Sequence, residues 1–83
     1  MNKLITSLAK NQVVIIENNT KTFYSYSTKI AEIVNFNTYL SAKNYNYSQT
    51  TKKYLCQFLG IENNIKLLNE NIKNNKYILT TNF

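Results

Sequence analysis

The sequence contains no histidine, arginine, aspartate, proline or tryptophan, and it has one glycine and one cysteine among its 83 residues. Histidine is the side chain that titrates nearest neutral pH, so an acid or base catalyst here would need a strongly perturbed glutamate or lysine. Neither a Ser-His-Asp nor a Cys-His catalytic set can form. Gly60 alone cannot make a glycine-rich loop around a nucleotide phosphate. These absences predict a protein that is not an enzyme and uses no cofactor.

Metal ligands and disulfide partners are equally scarce. Cys56 and four scattered glutamates fall short of the clustered ligand sets that hold zinc or iron, so we expect no metal site. Small secreted domains usually carry several disulfides, whereas this chain cannot form an internal one. No stretch approaches the roughly 20 apolar residues of a membrane span, and residues 1–10 are too weakly apolar for a signal peptide. We therefore expect a cytoplasmic protein that does not associate with membranes.

The length limits the number of domains, and the charge describes the surface of the protein. A chain of 83 residues can build one hydrophobic core, so residues 1–83 are predicted to form a single small domain. Ten basic residues, all lysine, outnumber four acidic residues, all glutamate, for a net charge of +6. Asparagine occupies 15 positions. Because AT-rich codons favour lysine and asparagine, much of this composition reflects the source genome.

Strand periodicity dominates the first half of the sequence. A β-branched run at 13–16 is followed by the turn signal Asn18-Asn19, and residues 20–26 alternate with a period of two. A bend at 25–28 follows, and the mixed pattern of residues 30–34 suits either a third strand or one helical turn, of which we favour the strand. A turn at 35–37 and a fourth strand at 38–42 come next. The pattern predicts an antiparallel meander.

Helical periodicity dominates the second half. Hydroxyl residues at 48–51 precede an apolar pattern with helical spacing that ends at Gly60. A second helical stripe runs from Ile61 to Ile72, Asn74-Asn75 ends it, and residues 77–81 suit a short strand at a sheet edge. We predict an α+β fold in which a small antiparallel sheet of 3–5 short strands packs against one or two helices of the C-terminal half.

The start of the first predicted helix is the strongest candidate binding site. The binding residues predicted here, for a partner or a phosphate, are Lys43, Tyr45, Tyr47, Ser48, Thr50, Thr51, Lys52 and Lys53. Free backbone N–H groups at a helix N-terminus attract anions. Lysines in the first turn oppose the helix dipole, which a bound phosphate or an acidic partner would relieve. The alternative is that Ser48 or Thr50 caps the helix and that both lysines extend into solvent.

Seven tyrosines offer a second possibility for binding. Tyr24, Tyr26, Tyr39, Tyr45 and Tyr47 are all predicted in strands, with Tyr24 and Tyr26 on one face. They could stack nucleic-acid bases, or they could fill a half-buried sheet with their hydroxyls in water. Without arginine, any nucleic-acid binding would be salt-sensitive and weakly sequence-specific.

Several segments together carry a resemblance. Ser25-Tyr26, Ile30-Ala31-Glu32-Ile33, Tyr47-Ser48-Gln49-Thr50-Thr51-Lys52-Lys53-Tyr54 and Phe58-Leu59 occur in that order. This order resembles small uncharacterised proteins of bacteriophages and mobile elements over about residues 13–60, and the S-x-T-T-x-K segment is its most specific part. The resemblance implies a compact α+β domain, a phage-like origin and the cytoplasm of a bacterial host. It brings no established activity.

Three functions remain open at this stage. The first is a counter-defence inhibitor, similar to anti-CRISPR proteins, that binds a host defence protein or nucleoprotein complex. The second is a basic nucleic-acid-binding module for RNA or DNA, in which Lys43, Lys52 and Lys53 contact phosphate and Tyr45 or Tyr47 stacks on bases. The third is a structural phage accessory protein that associates with itself. The first two functions require a partner molecule, whereas the third requires only further copies of the same chain.

Overall fold

Four two-residue turns fold the first half of the chain into a five-stranded meander. The computed structural model describes residues 3–83. Its elements are β1 (Lys3–Ala9), β2 (Gln12–Glu17), β3 (Thr20–Ser25), β4 (Thr28–Val34), β5 (Asn37–Ser41), α1 (Gln49–Leu59), α2 (Ile65–Lys73) and β6 (Tyr77–Thr80). All six strands form one sheet in the order β1-β2-β3-β4-β5-β6. The α+β class, the meander and the two helices in the C-terminal half are confirmed.

The sheet differs from the prediction in two respects. It has six strands rather than 3–5, because residues 3–9 form β1, which the sequence pattern did not indicate. Leu4 and Ile5 point to opposite faces of this edge strand, and both remain exposed, so β1 lacks the alternation that marks a half-buried strand. The second difference is that β6 pairs parallel to β5, since the two helices between them form a crossover that returns the chain in the same direction.

One face of the sheet packs against the helices. The strand register places Val14, Phe23, Ala31 and Leu40 side by side on this face, and all four are buried. The Phe58 ring of α1 stacks on the Phe23 ring at a centroid distance of 5.6 Å. Burial of aromatic and aliphatic side chains on this face holds the helices to the sheet.

Both helices have well-formed ends. The Ser48 hydroxyl accepts a hydrogen bond from the backbone N–H of Thr51, and Gly60 ends α1 with φ +78°. The predicted cap and stop of this helix are therefore confirmed. Asn64 caps α2 in the same way, through the N–H of Leu67, so this helix begins at Ile65 and the prediction that it begins at Ile61 is wrong. Within residues 3–83, neither helix has the length and apolar character needed to cross a bilayer.

Candidate binding surfaces

The predicted site lies in the loop between β5 and α1 and in the first turns of α1. Tyr45 and Tyr47 belong to a series of turns, so their prediction as strand residues is wrong. Tyr45 packs against the core, whereas Tyr47 is 71% exposed. Of this tyrosine pair, only Tyr47 is largely available to a partner.

The hydroxyl residues of the site are engaged in a short hydrogen-bonded chain. The Ser48 hydroxyl donates to the Thr51 hydroxyl over 3.1 Å, and the Thr51 and Ser25 hydroxyl oxygens are 3.0 Å apart. Thr51 is completely buried, while Thr50 is exposed. Ser48 therefore caps α1, as the capping alternative predicts, and Thr50 faces solvent. Thr51 links α1 to Ser25 of β3, a contact that the sequence did not indicate.

The three lysines of the site lie near one another in sequence but differ in environment. Lys43 and Lys53 are exposed, and Lys52 is half-buried. The Lys53 ammonium nitrogen lies 5.3 Å from the centroid of the Tyr54 ring, which provides a weak cation–π contact. No acidic residue lies between Glu32 and Glu62, so this part of the chain is purely basic.

Tyr26, an exposed tyrosine in the β3–β4 turn, lies beside the same pocket as Tyr47. Tyr26 is half exposed and has φ +53°, and its backbone N–H donates to the Asn11 carbonyl over 2.8 Å. Tyr26 and Tyr47 line one pocket of about 140 Å³ together with Asn44 and Thr28. The prediction that Tyr26 shares a strand face with Tyr24 is wrong, because β3 ends at Ser25 and Tyr26 turns away.

The turn between β4 and β5 carries the most exposed aromatic side chain among the described residues. Phe36 is fully exposed, with φ +73°, and it follows Asn35 with φ +49°. Positive φ at both central positions is typical of a type I′ turn, in which the second position normally holds glycine. Beside Phe36 lies a shallow apolar groove that includes Ile16, Ile33 and Lys21. The sequence predicted a turn here but did not single out Phe36 as exposed. The clue in the sequence is the pair Asn35-Phe36, where a two-residue turn usually has Asn-Gly.

The sheet face opposite the helices is largely uncovered. Ile5 and Ile15 are paired on this face, as are Val13 and Tyr24. Lys29 and Glu32 occupy its centre with a 3.2 Å ion pair. Further along the face, Tyr39 lies beside Glu32.

Charge on this uncovered face is balanced. Lys3 lies opposite Glu17 in the register of β1 and β2, and Lys29 forms an ion pair with Glu32. The Lys29 ammonium also lies 4.3 Å from the centroid of the Phe83 ring. This balance gives the face no electrostatic attraction for a nucleic-acid backbone, so Tyr24 and Tyr39 are poorly placed as a base-stacking platform.

The remaining reactive groups form no site. Cys56 is fully buried, and burial raises the pKa of its thiol, which outweighs the opposing effects of an Asn64 backbone hydrogen bond and nearby Lys52. Within residues 3–83, no three histidine, cysteine or acidic side chains come close enough together to hold a metal ion.

Comparison with known proteins places the chain in a family. A family model described as a family of unknown function, DUF8033, matches residues 2–78. The chain belongs to this family. No curated protein and no solved structure matches it. Membership in DUF8033 brings no activity, so function has to be argued from the exposed residues described above.

Proposed function

We propose that this DUF8033 protein is a non-enzymatic binding protein of a phage or mobile element. Its proposed role is counter-defence, similar to that of anti-CRISPR proteins, in the cytoplasm of a bacterial host. In this role it would occupy the surface of a host defence protein or of a nucleoprotein complex. The resemblance to small phage proteins supports the origin, and the lack of histidine, arginine and aspartate supports a role without catalysis.

The observation that carries the proposal is Phe36. A fully exposed phenylalanine gains nothing from burial within its own chain, and its positive φ is unfavourable for a bulky side chain. Residues held in strained conformations cluster at binding sites, where the rest of the fold supports them. Aromatic side chains are also the main energetic anchors of protein interfaces. Phe36 therefore fits an anchor that inserts into an apolar pocket of a protein partner.

The surroundings of Phe36 suit the same partner. Lys21 is the one charged residue that lines the groove beside the Phe36 ring. Asparagines from two turns, Asn18, Asn19 and Asn35, also line this groove. An interface commonly combines a buried apolar centre with a polar rim. We expect a pocket in the partner that is apolar at its centre and acidic or amide-rich at its edge.

Co-purification tests this function directly. Tagged protein is expressed in a bacterial host with an active CRISPR system and recovered with and without nuclease treatment. We expect a defence protein to co-purify with the wild type after nuclease treatment and to be lost with Phe36→Gly. Leu79→Asn, a change at an exposed hydrophobic residue on the edge strand β6, is the control and should retain the protein.

A functional readout accompanies the binding measurement. Wild-type protein should restore plaque formation by a phage that the defence system otherwise blocks, and Phe36→Gly should not. Recovery of no defence protein, together with unchanged plaque numbers, would rule out the proposed role. Equal recovery with Phe36→Gly would remove Phe36 from the interface.

Nucleic-acid binding is a second candidate, and the basic segment between Glu32 and Glu62 favours it. Lys43, Lys52 and Lys53 lie in this segment, which also carries the exposed ring of Tyr47. Fluorescence anisotropy with labelled oligonucleotides at low salt tests this function. Joint replacement of the three lysines by glutamate should abolish binding, whereas Lys73→Glu with Lys76→Glu, after α2, should not. Absence of binding by the wild type would rule this function out.

A further inference from the structure

We propose that β1 pairs with β1 of a second copy of the chain, so that two sheets join into one across a two-fold axis. β1 is an edge strand with β2 on one side and no neighbour on the other within residues 3–83. Exposed edge strands offer unpaired backbone groups to another strand, and natural proteins usually shield them with charge, proline or twist. β1 has no proline, and Lys3 is its one charged residue.

The direction of the backbone groups along β1 follows from the hydrogen bonds of β2. The N–H of Tyr26 donates to the Asn11 carbonyl, so Asn11 and every second residue after it on β2 face β3. Val14 and Ile16 then face β1, where their partners are Thr6 and Leu4. By the same alternation, the backbone groups of Lys3, Ile5 and Ser7 point away from the sheet. A register shift after Ser7 ends this regular edge.

One antiparallel register uses all of these groups. When the two-fold axis passes through Ile5, Lys3 and Ser7 of one copy lie opposite Ser7 and Lys3 of the other, and Ile5 lies opposite itself. Each of the three pairs then exchanges two backbone hydrogen bonds. A register centred on Thr6 would place Lys3 beyond the register shift and lose its bonds. Only the register centred on Ile5 pairs all three outward-facing residues of β1 with one another.

The side chains agree with this register. Ile5 is 62% exposed in the isolated chain, and in the pair it covers the Ile5 of the second copy on the uncovered face. Leu4 is 58% exposed and gains cover from Thr6 of the second copy. The two Lys3 side chains stay at opposite ends of the overlap, about 13 Å apart along the strands, beyond the screening length at physiological salt. No like charges face each other.

The overlap is shorter than a standard protein interface, so we expect a dimer that forms reversibly with concentration. The full-length protein is examined by light scattering and sedimentation between about 10 and about 500 µM at physiological salt. We expect the mass to rise from 9.7 kDa towards twice that value. A mass that stays monomeric throughout would overturn the proposal.

Substitutions on the two edge strands test whether β1 forms the dimer interface. Ile5→Lys places a charge opposite itself, and we expect it to weaken the dimer by about ten-fold or more. Ile78→Lys makes the same change on the opposite edge strand and should leave the dimer intact. A dimer that survives Ile5→Lys, or that is lost equally with Ile78→Lys, would overturn the assignment.

Cross-linking gives an independent measurement if Ile5→Lys impairs folding. Ile5→Cys should form a disulfide-linked dimer under mild oxidation, because directly opposed residues of antiparallel strands lie within disulfide distance. Ile78→Cys should not, and the native Cys56 is buried in both variants. Failure of Ile5→Cys to cross-link faster than Ile78→Cys would count against the register centred on Ile5.

Discussion

Replacement of Phe36 by glycine should stabilise the protein, although it removes a large hydrophobic side chain. Phe36 is fully exposed and has φ +73°, so the substitution loses little packing. A left-handed backbone costs an L-residue about 1–2 kcal/mol, and glycine avoids this cost. Glycine also has more conformational entropy in the unfolded chain, which stabilises the unfolded state by about 0.5–1 kcal/mol and opposes this gain in stability. The net expectation is that the free energy of unfolding rises by about 0.5–1 kcal/mol.

Urea denaturation followed by circular dichroism measures this change, with thermal unfolding as a second method. For a domain of this size, the expected gain corresponds to a rise in Tm of about 2–8 °C. Phe36→Ala is the matched control, because alanine removes the ring but keeps the unfavourable positive φ. It should change the free energy of unfolding by less than about 0.5 kcal/mol.

A loss of about 1 kcal/mol or more with Phe36→Gly would refute the reasoning. Such a loss would mean that the phenylalanine ring packs within its own chain, and Phe36 would no longer need a partner to explain it. A gain in stability combined with loss of partner binding is the pattern expected of a residue retained for function at the expense of stability.

Three further predictions concern buried polar groups. Thr51→Val should lower the free energy of unfolding by about 1–3 kcal/mol, because it removes the buried hydroxyl between Ser48 and Ser25, whereas the exposed Thr50→Val should change it little in the same urea titration. Gln12 is fully buried, and its side-chain amide has no hydrogen-bond partner among residues 3–83, so Gln12→Met should raise the melting temperature; a decrease would contradict this. Because burial raises the pKa of the Cys56 thiol, the unfolded chain releases this proton first, and stability should fall as pH rises above the ordinary thiol pKa of 9.0; Cys56→Ala should reduce that dependence.

At the candidate site, local sequence patterns predicted some features correctly, and others depended on the fold. Ser48 was predicted to cap the helix or to help hold a ligand, and its bonds to Thr51 are those of a cap. Thr51 was predicted as a binding residue, yet only the fold brings Ser25 of β3 to its hydroxyl, across 26 positions in the sequence. Phe36 was assigned to a turn by its asparagine neighbours. Its full exposure depends on what the rest of the chain leaves uncovered, which periodicity does not specify.

The sequence by itself determined the strands β2 to β5, the presence of both helices, both ends of α1 and the end of α2, because alternation, helical spacing, asparagine turns and Gly60 act over a few residues. It also excluded the Ser-His-Asp and Cys-His catalytic sets, because the chain has no histidine and folding cannot supply an absent residue type. Only the tertiary structure decided that residues 3–9 form an edge strand, that β6 runs parallel to β5, and which aromatic rings stay exposed. These features depend on contacts between residues far apart in the chain, so no local pattern records them.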